Sequence, residues 1–211
     1  MRNEQDNNEP VKGRIHSFPV KQDILFKKAI ALVEEGDSEA AIPIAVGLVD
    51  AGFDHANTLL GHIYENGGPS VAQDFEKAFF YYQRAVDTVG AKHGWLGLAR
   101  LYTDGSGVKQ NFREALECYK VLAEDANDPI AWINLGRMHN TGTGVPKDVG
   151  VAKAYFERAA RAGYVVADVE LADLLRESGS LFKPFLLRAK AGIRAAILAY
   201  RNKNDVRLMS R

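Results

Sequence analysis

The feature that most constrains this chain is self-similarity at a period of about 37 residues. Ala56, Gly94 and Ala131 recur at that offset, as do Leu60, Leu98 and Leu135, then Gly61, Ala99 and Gly136. Tyr64, Tyr102 and His139 follow, and each run ends at Gly67, Gly105 or Gly142. In the second half of each unit Ala78, Ala115 and Ala152 align, as do Tyr82, Tyr119 and Phe156, once the first loop is allowed one extra residue. A weaker fourth copy starts at Ala167, with Leu171, Ala172 and Leu175 in register. Small residues four or five apart on one helix face let a partner helix approach closely, while Leu and Tyr fill the flanking space. One such helical hairpin cannot bury its apolar face alone, whereas stacked copies share a continuous core and the end copies diverge because they meet solvent. The pattern predicts an all-α superhelix of stacked antiparallel hairpins.

The rest of the chain sets the limits of that array. Residues 1–22 are polar, with Pro10, Gly13 and Pro19 and little apolar periodicity, and read as a flexible lead-in. A single solenoid is expected over 23–200, with clear repeats at 56–90, 94–127 and 131–163 and degenerate hairpins on either side. In the first of these, Phe26, Ala29, Ile30 and Val33 are broken by Gly36-Asp37 before a second helix over Ser38–Asp50. Residues 201–211 read as a basic tail, left free beyond a helix that caps the solenoid.

Lysine plus arginine and aspartate plus glutamate both total 27, so no overall field draws the chain to nucleic acid or an anionic membrane. The local excess of base after Lys183 lacks the aromatic platforms of a nucleic-acid surface, which argues against that partner. Phe185 to Tyr200 is interrupted by Arg188, Lys190 and Arg194 and is too short and charged to span a bilayer. A lone cysteine, Cys118, rules out an intrachain disulfide. With no secretory signal in Met1–Pro10, a cytoplasmic protein is expected.

Leu60-Gly61-x-x-Tyr64-x-x-Gly67, Asp74-x-x-Lys77-Ala78 and Gly142-x-Gly144-Val145-x-x-Asp148 resemble the Sel-one-like repeat, a relative of the tetratricopeptide repeat. Gly67-Gly68-Pro69-Ser70 departs from the Gly-x-Gly-Val loop, and His139 stands where tyrosine is usual. The resemblance implies an adaptor or scaffold, of a kind common in bacteria, that binds a protein or peptide. It also implies that the first helix of each hairpin lines a concave face. On that face it places His55, Thr58, His62 and Glu65, then His93, Leu96, Arg100 and Thr103, then Ile130, Ile133, Arg137 and Asn140. Arg100 and Arg137 would form a short basic ladder beside an apolar strip, suited to a peptide carrying a carboxylate. Trp95 and Trp132, early in their first helices, are expected to pack.

Motifs that suggest other chemistry have plainer readings. Gly105-x-Gly107-Val108 and Gly142-x-Gly144-Val145 lack the strand that precedes a phosphate-cradling loop, and read as turns that a valine plugs. Asn111 with Glu114 has capping-box spacing, and Asp74 and Asp148 suit helix caps better than metal ligation. The histidines His16, His55, His62, His93 and His139 show no zinc spacing, and Cys118 reads as a small buried hydrophobe. No serine-hydrolase elbow is present, so no catalytic, cofactor or metal residues are assigned. The competing reading is an enzyme or regulatory subunit with a ligand in the same groove. Self-association through the terminal repeats is a further expectation.

Overall fold

In a computed structural model the described residues are 20–177, Gly179 and 182–209, with ten helices and no strand among them. The helices are α1 (Val20–Glu34), α2 (Ser38–Asp50), α3 (Ala56–Asn66), α4 (Phe75–Val89), α5 (Lys92–Asp104), α6 (Phe112–Glu124), α7 (Pro129–Thr141), α8 (Val149–Arg161), α9 (Val165–Glu177) and α10 (Phe182–Met209). Each packs on its neighbours in the chain, giving five hairpins, and α3 also touches both α1 and α5. Most of the expected N-terminal segment, up to residue 19, lies outside the described residues. Helix α10 runs on to Met209, so the backbone of 201–209 is helical where a free tail was expected.

The capping pattern explains why the helices begin where they do. The Asp74 carboxylate accepts from the Lys77 N–H, Asn111 from the Arg113 and Glu114 N–H groups, and Asp148 from the Val151 N–H. Each cap's own N–H donates back across the loop, Asp74 to the Tyr64 carbonyl at 2.8 Å, Asn111 to Tyr102 at 2.9 Å and Asp148 to His139 at 2.8 Å. That bond closes all three hairpins alike, despite the different loop at Gly67–Ser70. It also means that Asn111 forms only half of a capping box, because its N–H is already engaged across the loop.

The loop glycines do more than turn the chain. Gly107 and Gly144 have φ of +68° and +73°, in the left-handed region that favours glycine. A Cβ on Gly144 would also lie 2.8 Å from the Phe112 carbonyl oxygen, and one on Gly107 would overlap the Phe75 carbonyl. Each loop therefore rests on the backbone that opens the second helix of the preceding hairpin. Val108 and Val145 pack partly buried against the core beside it.

The core runs along the seam between hairpins. Tyr82, Leu98, Leu101, Tyr119, Leu122, Trp132 and Leu135 form its centre, with Phe53 and Leu60 toward one end and Phe156 and Leu171 toward the other. The Tyr82 ring is wedged between α3 and α5. A Cβ at Gly61 would come within 2.6 Å of that ring, and one at Gly97 would penetrate it. Phe156 fills the same role against Gly136, at 2.5 Å. The bulk supplied by the second helix requires the absence of bulk on the first.

Candidate partner-binding groove

Along the first helices of the leading hairpins lies a groove of about 830 Å³. Asp23, Phe26 and Ile30 of α1 form one wall. Phe53 and His55, from the turn between α2 and α3, continue it, with the Phe26 and Phe53 rings 5.1 Å apart. Thr58, Leu59 and His62 of α3 line the middle, and Lys92, His93, Leu96 and Arg100 of α5 the far side. The floor is apolar and the rim carries imidazole, ammonium and guanidinium groups, the usual composition of a site that buries side chains and orients them by polar contacts.

Arg100 is the most constrained of these groups. Its Nε donates to Glu65 Oε1 at 3.0 Å and its Nη2 to Glu65 Oε2 at 2.5 Å, while the Tyr82 hydroxyl donates to the same Oε2 at 2.6 Å. Burial works against the arginine's charge, but the Glu65 carboxylate outweighs it and holds the guanidinium above its ordinary pKa. Burial, then the Glu65 hydrogen bond, pushes the Tyr82 phenol up as well, so it stays a donor. The Nη1 group makes no hydrogen bond among the described residues. Nearby, Lys92 reaches across the next seam to Asp128 at 2.7 Å. Asp128 is 97% buried and caps α7 through the Ile130 and Ala131 N–H groups. Its burial opposes ionisation, yet Lys92 and those two donors prevail and hold its carboxyl below the usual range.

Several expected positions fall elsewhere. His62, His93, Leu96 and Arg100 come together in the groove, as do His55 and Thr58, but Glu65 sits behind Arg100 as its counter-ion. The expected basic ladder is not open. Arg137 turns the other way and pairs with Glu170 of α9 at 2.6 Å, beside a separate pocket of about 180 Å³ that Thr103 also lines. Ile133, expected on the apolar strip, is buried at 5% exposure, whereas Leu96 at the equivalent repeat position is half-buried. Asn140 is half-buried and lines neither cavity, while Ile130 is exposed. Trp132 is buried beneath the Arg158 guanidinium, 4.2 Å from its ring, and Trp95 is half-buried against the core. Cys118 is buried in α6, and burial pushes its thiol up to about 12. Among the described residues no three His, Cys, Asp or Glu side chains gather as a metal site would need, and no helix is long and apolar enough to cross a membrane.

Sequence reasoning missed Gly97 and the wall from α1. Gly97 could have been found, since glycine inside a helix costs about 1 kcal/mol relative to alanine and so marks a close approach. The α1 wall carries no repeat signature and had no comparable signal.

Comparison with known families and structures bears on the fold. The family model of the Sel1 repeat matches residues 54–87, 95–127 and 130–164. A comparison with curated protein sequences gave no match. Among solved structures, a Sel1 repeat protein from Oxalobacter formigenes is 23% identical with a TM-score of 0.69, over 82% of this chain and 73% of that one. A protective antigen of uropathogenic Escherichia coli strains, described as displaying an SLR fold, is 20% identical with a TM-score of 0.66, over 84% of this chain but 38% of its own. A protein from Klebsiella pneumoniae described as a sel1 repeat protein is 19% identical with a TM-score of 0.57, over 88% and 92%. With three consecutive matched repeats on a solenoid of stacked hairpins, the chain belongs to the Sel1-like repeat family.

Proposed function

We propose that this protein is a non-catalytic adaptor that captures a peptide segment of a partner protein in the groove between α1, α3 and α5. Sel1 repeats generally serve as interaction scaffolds, which sets the class. The observation that supports the site is the pairing of an open apolar floor with one oriented donor. Phe26, Ile30, Leu59 and Leu96 accept aliphatic or aromatic side chains, and Arg100, held in place by Glu65 and Tyr82, offers its remaining amino group to a carboxylate. Because Arg100 and Lys92 are each already neutralised, recognition depends on hydrogen-bond direction and buried area more than on net charge. Binding should therefore be only weakly sensitive to salt.

Selection of a random peptide library on the full chain tests the reading. Enriched peptides should combine apolar residues with a carboxylate, and should lose about 10-fold or more in affinity on Leu96→Glu, with circular dichroism unchanged. They should bind Arg137→Ala as they bind wild type. Peptides that bind Leu96→Glu at full strength, or no saturable binding at all, would remove the groove from consideration.

A further inference from the structure

Two successive seams carry the same pair of donors around a different centre. Tyr82 on α4 and Arg100 on α5 both donate to the Glu65 carboxylate of α3. One repeat on, Tyr119 on α6 stands at the position of Tyr82, Arg137 on α7 at that of Arg100, and Thr103 on α5 at that of Glu65. The phenol and the guanidinium are kept, and the carboxylate is exchanged for a short hydroxyl. In the seam after that, Phe156 and Asp173 take the tyrosine and arginine positions, so the pair is not a general property of the repeat. Thr103, Tyr119 and Arg137 all line the pocket of about 180 Å³, with Asn134 and Met138 among its other walls.

These donors are only partly used within the chain. Tyr119 is 4% exposed, and burial pushes its phenol up, so it stays protonated and able to donate. Its hydroxyl lies beside that of Thr103, which donates in turn to the Ala99 carbonyl at 2.7 Å. Tyr119 thus faces a neutral hydroxyl where Tyr82 has an anion. Arg137 sends Nε and Nη2 to a single oxygen of Glu170, at 2.7 and 2.6 Å, and its Nη1 makes no hydrogen bond among the described residues.

We propose that the pocket between α5, α6 and α7 is a binding site for a ligand carboxylate, which takes between Tyr119 and Arg137 the place that Glu65 takes between Tyr82 and Arg100. The first seam is the template for the second. A carboxylate there accepts from the phenol and from the guanidinium, both of them charge-assisted bonds. The volume falls short of the roughly 300 Å³ at which pockets for larger ligands begin, and suits a short aliphatic acid or the end of a glutamate side chain. Glu170 competes for the same arginine and keeps the affinity low.

Propionate and N-acetylglutamate amide, titrated at constant ionic strength into the isotope-labelled full chain, are the NMR probes. Shifts should gather at Thr103 and Arg137, with a dissociation constant on the order of 10 mM for ligands of so few heavy atoms. Glu170→Gln should tighten binding about 3-fold by removing the competing charge. Tyr119→Phe should weaken it about 5-fold through the lost donor. Thr103→Glu supplies the carboxylate of the first seam from within the chain and should abolish binding, with circular dichroism unchanged in all three variants. Binding of both probes assigns the carboxylate to a polypeptide side chain, and binding of propionate alone assigns it to a free acid; either supports the site. No saturable shift at these residues, shifts spread evenly over exposed lysines and arginines, or binding that survives both Tyr119→Phe and Thr103→Glu overturns the proposal. The pocket shares no lining residue with the groove. Arg137→Ala should therefore end carboxylate binding here and leave groove peptides bound, so the two readings fail separately.

Discussion

The seam between the first and second repeats and the seam between the third and fourth start from aligned residues and end differently. His62, Arg100 and Arg137 share one repeat position, as do Thr58, Leu96 and Ile133. Near α5 the space stays open as a groove of about 830 Å³, and Arg100 reaches back to Glu65 of the preceding hairpin. Near α7 Ile133 is buried, the pocket of about 180 Å³ beside Arg137 opens toward α5 and α6 of the preceding hairpin, and Arg137 reaches forward to Glu170 of the following one. A repeat position therefore fixes which way a side chain points, while the hairpins on either side decide whether it meets solvent, a counter-ion or the core.

The comparison is most severely tested where both seams depend on the absence of a side chain. Gly97→Leu drives bulk into the Tyr82 ring, and should cost about 3 kcal/mol or more in urea unfolding, at the upper end of overpacking effects. Gly136→Leu should follow closely, by overlap with Phe156. If either variant unfolds like wild type, the wedges do not set the seams.

Glutamate at the paired positions Leu96 and Ile133 should separate groove from core. Ile133→Glu places an unpaired charge in a buried site and should destabilise by about 3 kcal/mol or more. Leu96→Glu should cost about 1 kcal/mol or less, in keeping with a half-exposed position, and should act instead on peptide binding. Equal losses of stability would erase the distinction drawn between α5 and α7.

The two arginines give a smaller contrast. Removing Arg100 leaves Glu65, whose side chain is only 13% exposed, without its bidentate partner, and should cost about 1–2 kcal/mol. Arg137→Ala breaks a more exposed pair, and about 0.5 kcal/mol is expected. Chemical denaturation of both variants, with Glu65→Gln and Glu170→Gln to complete two double-mutant cycles, measures the coupling directly.

The least effect concerns pH. The folded-state pKa of Asp128 lies below its ordinary value, so its contribution is complete above about pH 4 and is lost as pH falls from there through the folded value. Stability profiles of wild type and Asp128→Asn should converge on acidification, by a difference on the order of 1 kcal/mol. Parallel profiles down to the acid transition would mean that Lys92 and the helix cap do not hold the carboxylate ionised.

Much of the fold was legible because its causes are local. Caps at Asp74, Asn111 and Asp148, small residues at Gly61 and Gly136, and rings at Tyr82 and Phe156 all lie within one repeat of their partners, and periodicity reveals them. The groove was legible only in part. His62, His93, Leu96 and Arg100 follow from the repeat phase, but the far wall comes from α1, whose Phe26 and Ile30 belong to no matched repeat. The counter-ions were hidden for another reason. Glu65 and Glu170 occupy unrelated repeat positions, and which of them an arginine meets depends on how successive hairpins are offset, a quantity no single repeat encodes.

The loop glycines at Gly107 and Gly144 carry a consequence for how closely successive hairpins can approach. Each loop bears directly on main-chain atoms of the hairpin before it, at Phe75 and Phe112. In mechanical terms the loop is a backstop, a limit set by main-chain atoms, while the core side chains are a filling whose residues can be exchanged. Exchanging residues in the filling can loosen or tighten a seam, but the limit stays where the backbone puts it. The spacing of successive hairpins is thus tied to two atoms' worth of missing side chain, and a single methyl group at either glycine would pry the two hairpins apart like a shim.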